Sequence, residues 1–263
     1  MRSKPPRLSI LILSEDGARD ACDTITALAK KMLLLVDGAV QTHRIEFQPQ
    51  DEDSRWAMRG NDWRSRSETD RPKIVQLGRV IAAKLLEEDP PGFVLFHFDG
   101  DQTWADRSLC KHAAQFEEFL RAYVEQNLDN TLRRRAARRG QKVDVAVVEQ
   151  QKSAAMKRLL RLTPFYSIEA WVYQNTVEAR KRCKEGCGLH LDLIAGWEAN
   201  RGALDEVQKP KEELCLEGRH NLALASTAYP AAEVHGAGKS FAFAVENLRR
   251  CHDLREALSR TYA

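Results

Sequence analysis

No stretch of the 263-residue chain is apolar over the roughly 18 residues that a membrane-spanning helix needs. Nor does the start read as a secretory leader; a strand is expected there instead. The basic start, MRSKPPRLSILILSEDG, holds only a short apolar run, broken by Ser14, Glu15 and Asp16 with no small-residue cleavage site. These absences exclude a helical membrane protein and lead us to expect a soluble, cytoplasmic chain with no membrane partner. Neither sign of charge is in large excess: the formal net charge is +3, so bulk charge alone argues for no nucleic-acid partner. There is no internal repeat. The length suits one large domain or a domain with an insertion, and 43% hydrophobic with 30% charged residues allows a substantial core beneath an ionised surface.

Two further motifs fall short. Gly236-Ala237-Gly238-Lys239-Ser240 imitates a phosphate-binding loop, but Glu233 stands where the first glycine belongs, and AYPAAEVH before it is no buried strand. ATP binding is therefore rejected. The cysteines are Cys22, Cys110, Cys183, Cys187, Cys215 and Cys251, expected as reduced thiols without secretory features. Cys183, Cys187 and His190 form C-x3-C-x2-H, with Cys215 and His220 as later candidate ligands. That spacing is looser than a CxxC knuckle and no second matching pair follows, so ordinary thiols are favoured over zinc.

What is present is an alternation of strand and helix patterns. Arg7–Leu13 reads as a buried strand, Gly17 punctuates, and Ala18–Val36 carries Ala21, Ile25, Leu28, Ala29, Met32 and Leu33 at helical spacing. A second strand is expected at His43–Phe47, an exposed polar loop at 50–72, and a helix at Lys73–Glu88 ending before Asp89-Pro90. Gly92–Phe98 is the strongest strand signal, nearly all apolar as a central strand covered on both faces should be. A long helix follows at about 107–139, then strands at Lys142–Val148 and Leu159–Thr163. Pro164 ends the last run, and Ser167 opens an apolar helix, IEAWVYQN. The remainder is helical, with breaks at Gly186–Gly188, Pro210, Pro230 and Gly236–Gly238. The pattern predicts an α/β fold: a mostly parallel sheet flanked by helices, with helical insertions and a helical C-terminal part. Residues 1–175 would form the core and 176–263 an extension completing the same domain.

Three acidic turns follow the apolar strands: Ser14-Glu15-Asp16-Gly17, Asp99-Gly100-Asp101, and Ser167-Ile168-Glu169. In open α/β sheets, ligand sites gather at the carboxyl ends of strands, so these carboxylates would face one another. Clustered carboxylates repel unless a cation neutralises them, and Mg²⁺ prefers oxygen ligands. In an extended segment residues i and i+2 project the same way, so Asp99 and Asp101 can face one ion, with Gly100 letting the backbone bend.

Strand–Glu–Gly–helix, followed far downstream by an apolar strand ending in Asp-x-Asp, resembles the Toprim fold of topoisomerases, bacterial primases and OLD-family nucleases. Ser167 and Glu169 in PFYSIEAW look like the OLD-type and related small Toprim proteins of bacterial phage-defence islands. The resemblance implies metal or general-base duty for Glu15, metal binding by Asp99 and Asp101, and a second-metal pair in Ser167 and Glu169. Where the family often carries an acid four positions after the glutamate, this chain has Arg19; Asp20, one further on, is the substitute. Lys239 matches a downstream lysine near the scissile phosphate. The implied activity is Mg²⁺- or Mn²⁺-dependent cutting of DNA or RNA in anti-phage defence, with a separate ATPase subunit as partner and a homo-oligomer possible.

Some cations remain for the substrate. Arg133, Arg134, Arg135, Arg138 and Arg139 cluster at a helix end, where they suit phosphate contacts or simply complement the helix dipole. Trp56 and Trp63, among Arg55, Arg59, Arg64 and Arg66, suit either stacked bases or a docking protein. His97, inside the central strand, reads as a hydrogen-bonded core residue beside the acidic pair. Two rival readings are a non-catalytic Toprim-like interaction subunit and a response-regulator-like phosphoacceptor domain.

Overall fold

The computed structural model describes residues 7–15, 19–140 and 142–262; Asp16 and Gly17 of the first acidic turn lie outside them. Strands β1 (Leu8–Ser14), β2 (Ile45–Pro49), β3 (Gly92–His97) and β4 (Leu159–Leu162) form one all-parallel sheet in the order β2-β1-β3-β4. The expected α/β class is what the chain adopts. β1 and β3 are central and buried at every position, which is why their sequences run apolar without alternation. Their side chains nonetheless divide between two cores. Leu8, Ile10 and Ile12 join Phe93 and Leu95 on one face, while Leu11 and Leu13 join Val94 and Phe96 on the other.

Helix α1 (Arg19–Val36) covers the first face through Ile25, Leu28 and Met32. The C-terminal helices α7 (Glu169–Val172), α8 (Thr176–Glu185), α9 (Leu191–Ala199), α10 (Asn221–Ser226), α11 (Ala231–Gly236), α12 (Lys239–Arg250) and α13 (His252–Ser259) complete that layer. Leu224, Phe241, Leu248 and Leu254 lie in the same core as Ile10. The second face is covered by α2 (Glu52–Met58), α3 (Arg71–Leu85), α4 (Lys111–Phe119), α5 (Gln126–Arg138) and α6 (Val145–Met156). The chain thus leaves β1 over one face to reach β2, then crosses the other face to β3. Winding reverses between β1 and β3, so the loops leaving their carboxyl ends part and open a crevice.

Three local expectations need correction. Residues 50–72 are no exposed loop. Asp51 accepts from the Ser54 N–H at 2.7 Å and starts α2, and a 3-10 turn, Arg59–Arg64, follows. Trp63 is buried there, with ring centroids 5.4 Å from Phe96 and 5.3 Å from Phe98, so it anchors the second core instead of stacking bases. Trp56 stays exposed. Lys142–Val148 is no strand: Asp144 accepts from the Ala146 N–H at 2.9 Å and opens α6, a cap that overrides the β-branched run Val145-Ala146-Val147-Val148. Asp144→Ala should cost about 1 kcal/mol, read as a lower urea midpoint at unchanged slope. Finally, the apolar helix after Ser167 is shorter than IEAWVYQN: α7 ends at Val172, and Asn175 caps a new helix, α8.

The long helix expected at 107–139 starts only at Lys111: extended Cys110 separates it from a 3-10 turn at Arg107–Leu109, and a π turn at Leu120–Glu125 joins α4 to α5. Among the described residues no helix is long and apolar enough to cross a membrane.

Candidate metal centre

A cleft of about 900 Å³ opens where the crevice was expected, and Glu15, Asp20, Asp99, Asp101, Ser167 and Glu169 all line it. Glu15 ties the ends of the two central strands together. Its N–H donates to the His97 carbonyl at 3.1 Å, and its Oε2 accepts from the Asp99 N–H at 2.5 Å. Oε1 accepts from Asn61 Nδ2, with the Arg64 guanidinium 3.8 Å away. Asp20 stands in the first turn of α1, exposed at the cleft edge.

Asp99 and Asp101 share the cleft for a different reason than the extended alternation predicted. Asp101 adopts φ 53°, a left-handed conformation that aspartate tolerates. The turn is held backbone to backbone on the segment after β4: the N–H groups of Gly100, Asp101 and Gln102 donate to the carbonyls of Pro164, Tyr166 and Phe165 at 3.1, 3.1 and 2.7 Å. This docking brings Asp99 beside Ser167 and Glu169 at the cleft. His112 supports the turn from α4. Its Nδ1 donates to the Asp99 carbonyl at 2.8 Å, and Nε2 lies 3.3 Å from Asp101 Oδ2. His97 is buried, with Nε2 3.5 Å from Asp99 Oδ1 but poorly aligned for a hydrogen bond.

Several buried polar atoms of this cleft lack hydrogen-bond partners: Asp99 Oδ1, Ser167 Oγ, Asn61 Oδ1 and Asn221 Oδ1. Buried polar atoms are normally satisfied, so such a group of oxygens needs an explanation. A helix-capping Ser167 would use its hydroxyl on a backbone N–H, and it does not. Glu169 is nearly buried at 9% exposure, its Oε1 3.5 Å from Asn221 Nδ2. The Asp99 carboxyl is pushed up to about 6, chiefly by burial and further by Glu15 and Glu169, while His97 pulls the other way. Carboxylate, hydroxyl and amide oxygens around a site that resists negative charge suit a hard divalent cation, which would supply the missing partners.

The remaining candidates lie elsewhere. Lys239 ion-pairs with Glu206 at 2.6 Å and is not among the residues lining the cleft. Arg133 pairs with Asp129 at 2.6 Å, and Arg135 Nη1 donates to the Leu86 carbonyl at 3.4 Å. Leu86 follows α3 just before β3 begins, so the cluster with Arg134, Arg138 and Arg139 sits at the amino ends of the strands, opposite the cleft. The cations that do line it are Arg59, Lys209, Lys211 and Arg219. Sequence reading missed the last three because the segment around Pro210 has no period and no motif. Tyr166 also lines the cleft and was not foreseen. Of the cysteine and histidine candidates, the structure brings Cys183, Cys187, His190 and Cys215 together, away from the residues that line the cleft. His220 stays apart, its Nδ1 accepting from the Glu217 N–H at 3.0 Å.

Comparison with protein-family models, curated proteins and solved structures finds no match to this chain.

Proposed function

We propose that the protein is a Mg²⁺- or Mn²⁺-dependent nuclease that hydrolyses phosphodiester bonds in DNA or RNA. The observation that carries this reading is the convergence of acids from three strand ends on one cleft with unpartnered buried oxygens. Asp99, Asp101 and Glu169, with Ser167 Oγ and Asn221 Oδ1, would hold the metal. When bound, it polarises a phosphate oxygen and lowers the pKa of water, the two services phosphodiester hydrolysis needs. Glu15 is a positioning residue as well as an acid, because both its oxygens already hold the Asp99 turn and Asn61. Lys211, with Lys209 and Arg219 drawn from their surface partners Glu212 and Glu217, would offset phosphate charge at the cleft, the duty first assigned to Lys239. An effector role in anti-phage defence beside an ATPase subunit rests on the sequence resemblance alone. A phosphoacceptor has less support, since Lys239 is engaged with Glu206 instead of facing Asp99.

The test is incubation with plasmid DNA and structured RNA in Mg²⁺, Mn²⁺ or EDTA, with and without an ATPase partner. Metal-dependent cutting should fall by about 100-fold or more in Asp99→Ala and Glu169→Gln. It should survive in Tyr166→Phe, because hydrolysis needs no covalent tyrosine. Cutting indifferent to Asp99→Ala and Glu169→Gln would falsify the site. A phosphotyrosyl adduct that Tyr166→Phe abolishes would replace hydrolysis by strand transfer.

A further inference from the structure

We propose that Cys183, Cys187, His190 and Cys215 bind a structural zinc ion that fastens one wall of the acidic cleft to the turn between α8 and α9. The four ligand atoms lie within 4.8 Å of one another. Tetrahedral zinc with sulfur at about 2.3 Å would hold them roughly 3.8 Å apart, so small side-chain adjustments close the cage. Three thiolates and one imidazole are a donor set that takes zinc and is unsuited to Mg²⁺. The ligands form a site the backbone has built. Cys183 is fully buried in the last turn of α8, and the Gly188 N–H donates to its carbonyl at 2.7 Å. Gly188 takes φ 69°, turning the chain so that Cys187 and His190 face back, with Cys187 Sγ 3.3 Å from His190 Nδ1. The Leu189 N–H donates to Cys187 Sγ at 3.4 Å, the kind of backbone support that orients a thiolate ligand.

Cys215 comes from a separate segment, and that gives the site its consequence. Residues 201–220 contain only short 3-10 turns, Arg201–Glu206, Pro210–Glu212 and Gly218–His220. Inside a compact domain such a stretch is usually functional or tethered. Leu204, Leu214 and Leu216 bury into the first core, and between and beyond them the segment carries Lys209, Lys211 and Arg219 to the cleft. Zinc at Cys215 clips this cationic wall in place without touching any of the acids. The zinc site stands whether or not the cleft cuts nucleic acid, and its test uses no activity measurement.

Full-length protein purified from zinc-supplemented cells without chelator should contain about one zinc per chain by elemental analysis. Cys215→Ser and His190→Ala should each lower that to less than roughly a tenth, while Cys251→Ser, outside the cluster, should leave it unchanged. Removing zinc from the wild type should lower its thermal midpoint and expose residues 201–220 to protease. If the ligand variants fail to fold, the wild type decides: refilled with Co²⁺, it should show the intense visible bands of tetrahedral thiolate ligation. Zinc near zero without those bands, zinc lost equally from Cys251→Ser, or two of the three clustered thiols joined as a disulfide in fresh protein would each overturn the proposal.

Discussion

Replacing Gly100 by alanine should abolish metal-dependent activity and lower folding stability by about 2–4 kcal/mol. A Cβ built at Gly100 would lie 2.4 Å from the Phe165 carbonyl oxygen, closer than real Cβ contacts come. Phe165 has little room to retreat, since its ring packs against Trp104 at 4.9 Å and Phe243 at 5.9 Å between centroids. The Asp99–Asp101 turn must therefore lift, straining or breaking the three backbone hydrogen bonds that hold it to Pro164, Phe165 and Tyr166. At about 1 kcal/mol apiece these account for most of the expected loss. The same movement draws Asp99 and Asp101 away from Ser167 and Glu169. Urea unfolding and Mn²⁺ titration check it together. A Gly100→Ala protein as stable as wild type that still binds Mn²⁺ normally would show that the turn's docking does not matter.

Asp99→Asn should do the opposite to stability while also destroying the site. Burial and neighbouring acids raise the Asp99 carboxyl from its ordinary 3.8 to about 6 in the folded protein. A raised folded-state pKa means that the folded chain holds this proton more tightly than the unfolded chain does. The metal-free protein is thus favoured below the unfolded value, and that advantage is lost as pH rises through about 6. At neutral pH the ionised carboxylate costs up to about 3 kcal/mol, less in practice because a quarter of the side chain still meets solvent. Asparagine never ionises, so in EDTA at pH 7.5 Asp99→Asn should melt several degrees above wild type, the gap closing as pH falls toward 4. Metal binding must displace the same proton, so wild-type affinity should weaken as pH drops below about 6. A variant no more stable at pH 7.5, or a gap that widens in acid, would mean that Asp99 carries no such penalty.

Much of this was legible in the chain. RLSILIL reads as a buried strand and GFVLFHF as a central one, and the acids behind them fall at the carboxyl ends of β1 and β3, where the winding reverses. The acids Glu15, Asp99, Asp101 and Glu169 are therefore expected at one rim from local signals, whereas Ser167 enters through the family resemblance. The rest depended on tertiary packing. Trp63 looked like part of a polar loop because the residues around it are charged, yet it fills a gap between Phe96, Phe98 and Phe116 that no periodicity announces. Lys239 sat in a suggestive motif but is turned to Glu206. Lys209, Lys211 and Arg219 reach the cleft on an aperiodic segment, and of the two later candidates Cys215 and His220 only packing selects Cys215 to join Cys183.

The most direct measurement is an anomalous-scattering map from a crystal soaked in Mn²⁺. Oxygen ligation at the strand ends predicts a peak bonded to Asp99 with Asp101 or Glu169, absent from Asp99→Asn crystals. Manganese that leaves this cleft empty while occupying other positions, or that stays at the cleft in Asp99→Asn, would contradict it.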